Sequence, residues 1–238
     1  MTTDARSGRT KRTVAVVHGW GSTPARTWPE DGLAGDLRRS GLNVVAPTLP
    51  GHGSGASTCS DDYADIDRQL RALLPRTYID GSGDAVGFSL GGKLLLRLVS
   101  CGALRVRRLA VLGVGANLFT GEAGDAVTRA LADGPPDGAG PGFREVISEA
   151  RASEINQDAL GAVIRRPPRL VEPPDLAAVT CDVLIIVGED DDIAGDPAPL
   201  AQALPSATVV RVPGLGHSTT PHDHRVRQLV SEFLLREE

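Results

Sequence analysis

The sequence predicts an α/β fold: a doubly wound, mostly parallel sheet of about six strands, with a small helical cap inserted before the fifth strand. Three observations point there. Short apolar, β-branched runs alternate with stretches of helical periodicity. The runs are apolar throughout, as in strands covered on both faces. The 238 residues, 41% hydrophobic, suffice for one sizeable core.

Taken in order, Thr13–Val17 reads as a first buried strand ending at His18-Gly19. Leu33 and Leu37 then share a helical face. Leu42–Ala46 is a second apolar run, closed by PTLPGHGSG (Pro47–Gly55), a loop dense in turn formers. Tyr63, Ile66, Leu70, Leu73 and Leu74 follow helical spacing and predict one helix over Asp61–Leu74. Ala85–Phe88 is a third strand. Leu90–Ser100, apolar nearly all round, is a buried helix. Leu109–Val114, Val183–Val187 and Thr208–Val212 complete the strands, and Val226, Leu229, Val230, Phe233 and Leu234 mark a C-terminal amphipathic helix. The alternation breaks between Thr120 and Pro174. There DGPPDGAGPG (Asp133–Gly142) is loop-like and Phe143–Ile164 reads mostly helical. An insertion of that size between strands is read as a cap or lid, giving a core of residues 1–119 and 175–238 and a cap of 120–174.

Composition narrows the function. The formal net charge is -5 and no basic block stands out, so a nucleic-acid partner lacks its electrostatic footprint. Cys59, Cys101 and Cys181 are far apart and odd in number, which suggests neither a disulfide framework nor a zinc site and favours a reducing compartment. The polar opening MTTDARSGRTKR leads into only five apolar residues, too few for a signal-peptide core, and no segment approaches a membrane span. The expectation is a cytoplasmic protein with no membrane partner, monomeric or homo-oligomeric.

The chemistry centres on DAVGFSLGGKLLL (Asp84–Leu96). Here Gly87-Phe88-Ser89-Leu90-Gly91 follows a predicted strand and opens a predicted helix, the context that gives a G-x-S-x-G match its meaning. A β-carbon at Gly87 or Gly91 would collide with neighbouring backbone in so tight a turn. The bend would hold the Ser89 hydroxyl above the sheet and set the Leu90 N–H at a helix N-terminus, where an oxyanion would form. Read alone, the stretch is also compatible with a serine in an ordinary glycine-rich turn.

Several segments, in this order, make the chain similar to the α/β-hydrolase-fold superfamily from about Thr13 to its end. VVHGWGS (Val16–Ser22) resembles the oxyanion loop, PTLPGHGSG the loop after the next strand, and GFSLGG (Gly87–Gly92) the nucleophile elbow. LIIVGEDDDIA (Leu184–Ala194) and VPGLGHS (Val212–Ser218) resemble the segments that hold the acid and the histidine. The two antiparallel strands that lead the family's sheet are missing, so the resemblance implies a shortened sheet.

The resemblance, with the need of a serine for an adjacent base, implies His217 as that base. It follows the last strand in a glycine-containing loop, and such loops converge on the carboxyl edge of a parallel sheet. His18 is expected to shape the oxyanion turn through its backbone, His52 to hydrogen-bond structurally, and His222 and His224 to be solvated. Family spacing counts three residues beyond Gly188 to Asp191 as the acid, with Asp190 and Asp192 as alternatives. Trp20 N–H matches the second oxyanion donor beside Leu90 N–H. Trp20, Phe88 and Phe119 are candidate substrate-binding side chains, each also readable as core, as is Phe143. Ser22 reads as a turn residue. Lys93, one helical turn after Ser89, reads as a solvated or ion-paired rim residue within reach of an anionic substrate group.

The resemblance implies a serine hydrolase acting on a small-molecule acyl substrate (carboxylic ester, lactone or thioester) through an acyl-enzyme, with no metal or organic cofactor required. A serine at the elbow sets it apart from relatives that use aspartate there. Lyase, cyclase or perhydrolase chemistry on the same fold, and a receptor that retains the triad, are the alternatives.

Overall fold

The computed structural model describes residues 11–121, 123–166 and 171–237. The polar opening at residues 1–10, part of the basis for expecting no signal segment, lies outside the described residues. So do residues 122 and 167–170 of the expected cap, and residue 238.

The first half runs β1 (Thr13–Val17), α1 (Pro24–Thr27), α2 (Leu33–Arg39), β2 (Asn43–Val45), α3 (Ile66–Leu73), α4 (Thr77–Asp80), β3 (Asp84–Phe88), α5 (Leu90–Ser100) and β4 (Arg108–Leu112). Four helices then precede the next strand: α6 (Gly124–Asp133), α7 (Pro141–Ala152), α8 (Gln157–Arg165) and α9 (Pro173–Leu176). β5 (Asp182–Gly188), α10 (Ala198–Ala203), β6 (Ala207–Val212) and α11 (His224–Leu235) complete the chain. The sheet is six-stranded and parallel throughout, in the order β2-β1-β3-β4-β5-β6.

Alternate residues of a strand point to opposite faces, and the central strands are apolar at both. Val14, Val16, Val86, Phe88, Ala110 and Leu112 pack with Leu33 and Leu37 of α2 and with Val226 and Val230 of α11. Ala15, Val17, Ala85, Leu109 and Val111 pack on the other face with Ile66 and Leu70 of α3 and Leu94 and Leu98 of α5. Each such Leu or Ile contributes about 1.5–3 kcal/mol by leaving water. Among the described residues no helix is long and apolar enough to cross a membrane.

Three expectations are corrected. The helix expected over Asp61–Leu74 is two elements, a 3₁₀ turn at Ser60–Tyr63 and then α3, because Asp65 departs from helical geometry at φ -115°, ψ 39°. β4 stops at Leu112, two residues early, because Gly113 turns the chain at φ +64°. β6 is an edge strand and only partly buried, with Val209 37% exposed.

Strand order positions the site. From β1 the chain passes to β2 on one side, then crosses back to β3 on the other. The loops leaving β1 and β3 therefore diverge, which opens a crevice at their carboxyl ends. Helices α6, α7 and α8 stand near this edge around a small core of their own, including Leu131, Ile147, Ala150 and Leu160, against which Trp20 packs. Ala162 and Val163 of α8 join the main core instead, so the insertion is rooted in the sheet layer.

Candidate active site

Ser89 sits between the last residue of β3 and the first of α5, at φ 50° and ψ -119°. Among the described residues it is the sole non-glycine with positive φ. Such a conformation costs of order 1–3 kcal/mol and persists where surrounding structure dictates it. Here glycines permit it. A β-carbon on Gly87 would lie 2.5 Å from the Gly92 Cα, and one on Gly91 2.5 Å from the carbonyl oxygens of Val17 and His18.

The Ser89 Oγ lies 3.0 Å from His217 Nε2. On the far side of the ring, Nδ1 lies 2.8 Å from Asp191 Oδ2 and 3.0 Å from Oδ1. The Asp191 and His217 side chains are 0% and 2% exposed. Burial pushes the Asp191 carboxyl up, but the His217 hydrogen bond and charge, with N–H donation from Ala194 and Ile193, hold it below the ordinary carboxylate range. With an ionised carboxylate beside it, Nδ1 carries the proton and Nε2 is left to accept from the serine.

The His217 loop is pinned at several points. Thr220 donates its hydroxyl to Gly216 O at 2.8 Å, and the Gly216 N–H donates to Thr219 Oγ1 at 3.0 Å. The Asp190 N–H donates to Leu215 O at 3.0 Å, tying the acid loop to the histidine loop. Gly113 clears space for the imidazole: a β-carbon there would stand 3.0 Å from His217 Cε1 and 2.9 Å from Phe88 Cε2. Sequence reasoning missed this glycine because the imidazole it makes room for lies over a hundred residues away.

The neighbouring carboxylate has a different task. Asp192 Oδ1 accepts the Gly142 N–H at 3.0 Å, at the first turn of α7, and Gly140 and Gly142 lack the side chains that would collide with it. A carboxylate there also meets the positive end of the helix. The acid turn thus holds both the imidazole and the start of α7.

His18 and His52 form a buried pair, ring centroids 5.2 Å apart. His18 Nε2 accepts the Leu49 N–H at 3.0 Å and Nδ1 donates to Gly19 O at 2.8 Å. His52 Nε2 accepts the Gly21 N–H at 3.1 Å and Nδ1 donates to Pro50 O at 3.0 Å. Burial first, joined for His18 by the charge of His52, lowers these rings to about 3 and about 4. Both are neutral staples between the loops after β1 and β2. The structural role expected for His52 matches this geometry; for His18 the side chain, beyond the backbone, fixes the turn.

A cavity of about 130 Å³ opens over Ser89. Trp20 and Phe88 line it, as does Leu90, whose N–H heads α5 with no carbonyl in its own helix to receive it. Trp20 also donates its indole N–H to Leu160 O at 3.1 Å, joining the loop after β1 to α8. Phe119 is a correction: it does not line the cavity but packs, half-buried, against the main core at the end of the Ala116–Leu118 turn. Ser22 and Lys93 line the cavity, and Ser22 Oγ shares a 2.9 Å hydrogen bond with Thr27 Oγ1. His222 and His224 are both exposed as expected, and His222 also lines the cavity. Burial, then the charge of Arg26, lowers the His222 ring.

A cap was expected, but, Phe143 apart, not which of its side chains form the roof. Phe143, Val146, Ile147 and Glu149 of α7 all face the cavity, and the i, i+3, i+4 spacing of the first three is the sequence signal that could have revealed it. Among the described residues, no three His, Cys, Asp or Glu side chains are grouped to hold a metal ion.

Three solved structures illustrate what the fold is similar to. A 2-hydroxy-6-oxo-6-phenylhexa-2,4-dienoate hydrolase from Rhodococcus sp. strain RHA1 superposes with a TM-score of 0.68 at 21% identity, covering 93% of this chain and 89% of that one. A carboxylesterase, CesB, from Bacillus subtilis gives 0.65 at 17% identity, covering 95% and 85%. A thermophilic esterase from Thermogutta terrifontis gives 0.68 at 20%, covering 94% and 90%. No curated protein matches the sequence. The model of the alpha/beta hydrolase family, by contrast, matches residues 14–232. Matched over nearly its whole length, the chain belongs to that family.

Proposed function

We propose that the protein is a serine hydrolase that cleaves a small carboxylic ester, lactone or thioester through an acyl-enzyme. The observation that carries the reading is the unbroken relay from Ser89 Oγ through His217 to Asp191, at 3.0 and 2.8 Å, beneath a largely apolar cavity. In this reading Ser89 Oγ attacks the carbonyl carbon as His217 Nε2 takes its proton. Asp191 steadies the imidazolium. The Trp20 and Leu90 N–H groups hold the oxyanion, a contribution typically worth about 3–4 kcal/mol per donor in the transition state. The tetrahedral intermediate collapses as His217 returns the proton to the leaving oxygen or sulfur. Water, activated by the same ring, then releases the acid and restores Ser89. Every step uses groups of this chain, and residues 120–174 act as the cap that roofs the acyl group. The partner is a small acyl molecule in the aqueous phase.

The support is the relay geometry, family membership, and similarity to structures described as a hydrolase and as esterases. The test is fluorophosphonate labelling together with turnover of p-nitrophenyl acetate and a panel of esters, lactones and thioesters. Expected are labelling and steady turnover, both lost in Ser89→Ala by several orders of magnitude. Labelling without turnover of any panel member would overturn the reading in favour of a non-hydrolytic enzyme or a binding protein.

A further inference from the structure

One charge in the roof has no part in the relay. Helix α7 lowers Phe143, Val146 and Ile147 toward the cavity, and one turn beyond Val146 the same face presents Glu149. Glu149 is half-buried, and its carboxyl stands where the His217 ring and the Ser218 hydroxyl act on it. A carboxylate on an otherwise apolar face loses hydration unless a donor or a cation meets it. The Ser218 hydroxyl is such a donor, whereas Arg26 acts on the carboxylate by charge alone, its Nη1 donating to the Glu149 carbonyl oxygen at 3.3 Å. Burial, reinforced by Glu145, pushes the Glu149 carboxyl up, against the opposing pull of Arg26, Ser218 and His217. Among the described lining residues it is the sole carboxylate; Lys93 lines the cavity from α5 but is engaged by a contact of its own.

We propose that Glu149 is a specificity-determining residue that selects compact acyl groups bearing an ammonium close to the scissile carbonyl. The claim rests on the hydrolase reading above and names its substrate class. The cavity Glu149 lines is the one in which an acyl group stays bound to Ser89, and its place beside His217 and Ser218 limits the spacer to a few bonds. The ammonium would donate to the carboxylate in a charge-assisted hydrogen bond. A neutral isostere would take water from the carboxylate and give it no cation beyond the charge of Arg26 and the Ser218 donor it already has, and an anionic one would be repelled.

The experiment compares three p-nitrophenyl esters of nearly equal size near pH 8: 3-aminopropanoate, butanoate and the succinate half-ester. Each kcat/KM is divided by the ester's second-order rate constant for attack by hydroxide, which leaves out the intramolecular attack of the succinate carboxylate. The native chain is expected to favour the ammonium ester over butanoate by about tenfold and to disfavour the anionic one. Glu149→Gln should bring the ammonium-to-butanoate ratio close to one, and Glu149→Lys should shift the preference toward the half-ester. A purely structural role would lower all three rates together and leave the ratios unchanged, which would overturn the proposal. So would a native preference for the half-ester, a reading that needs no variant to fold. If none of the three turns over while another panel member does, or if butanoate turns over without discrimination, only this proposal falls; if no panel member turns over, the hydrolase reading falls and this proposal with it.

Discussion

The buried histidine pair makes the fold acid-sensitive in a way that can be calculated. His18 and His52 are 0% and 3% exposed, and in each ring both nitrogens are engaged. Their folded values lie at about 3 and about 4, against 6.5 for an ordinary histidine. A lowered folded value means the unfolded chain binds protons more readily. The stability these rings contribute is therefore fully present above pH 6.5 and is lost as pH falls toward about 4 for His52 and about 3 for His18. At pH 5, folding must strip a proton from nearly every unfolded imidazole, at about 2 kcal/mol per ring, or about 4 kcal/mol for the pair. Against a typical total of about 5–15 kcal/mol, that is a large fraction. The perturbation is His52→Gln, which keeps an acceptor for the Gly21 N–H but does not titrate. Urea unfolding followed by tryptophan fluorescence at several pH values between 5 and 8 measures the slope. Below pH 6 the native chain should lose stability faster than the variant by about 1.4 kcal/mol per pH unit. Parallel curves would refute the reasoning, since they would mean that His52 keeps its proton when folded.

Three further outcomes are expected. Gly113→Ala places a β-carbon against the His217 and Phe88 rings at φ +64° and should cut kcat/KM by about a hundredfold, while circular dichroism shows a folded chain. Asp192→Ala removes the acceptor at the start of α7 and should raise KM more than it lowers kcat, with about 1 kcal/mol lost in urea unfolding. Asp223 caps α11 by accepting the Arg225 N–H at 2.8 Å, and the Arg225 side-chain hydrogen bond, against slight burial and with further help from backbone donors, holds its carboxyl down at about 2. Its contribution is present above the ordinary 3.8 and lost as pH falls toward about 2. Asp223→Ala should therefore lower Tm at pH 7, by about 1 kcal/mol in stability, with a gap to the native chain that narrows by pH 3.

The elements easiest to read in the sequence were those whose burial is complete. β1 and α5 begin and end where the apolar runs do. The split between Ser60–Tyr63 and α3 was hidden because Tyr63, Ile66 and Leu70 all reach the same core across the break, so periodicity runs through it. At the site, Ser89, His217 and Asp191 were nominated and the fold brings them within hydrogen-bonding distance. Family spacing favoured Asp191 with Asp190 and Asp192 as alternatives, and the fold gives Asp191 and Asp192 separate tasks. Their difference arises from Gly142, fifty positions away along the chain, which only the folded molecule puts beside Asp192. The apolar roof left a trace in the spacing of Phe143, Val146 and Ile147, but Glu149 was illegible for the same reason: nothing near it in sequence marks a carboxylate that overlooks the serine. Phe119 was readable both as core and as a substrate contact, and the Ala116–Leu118 turn decides for the core by packing it there.

The indole bond from Trp20 to Leu160 and the carboxylate bond from Asp192 to Gly142 moor the insertion at two points of the machinery beneath it. A recombinant in which this segment is exchanged for that of another hydrolase would forfeit both moorings at once. To keep them, the donor segment must bring a backbone carbonyl opposite the indole and a side-chain-free amide opposite the aspartate. Changes in what the enzyme accepts are thus easiest to make by altering inward side chains on the resident helices, and hardest by swapping the helices themselves.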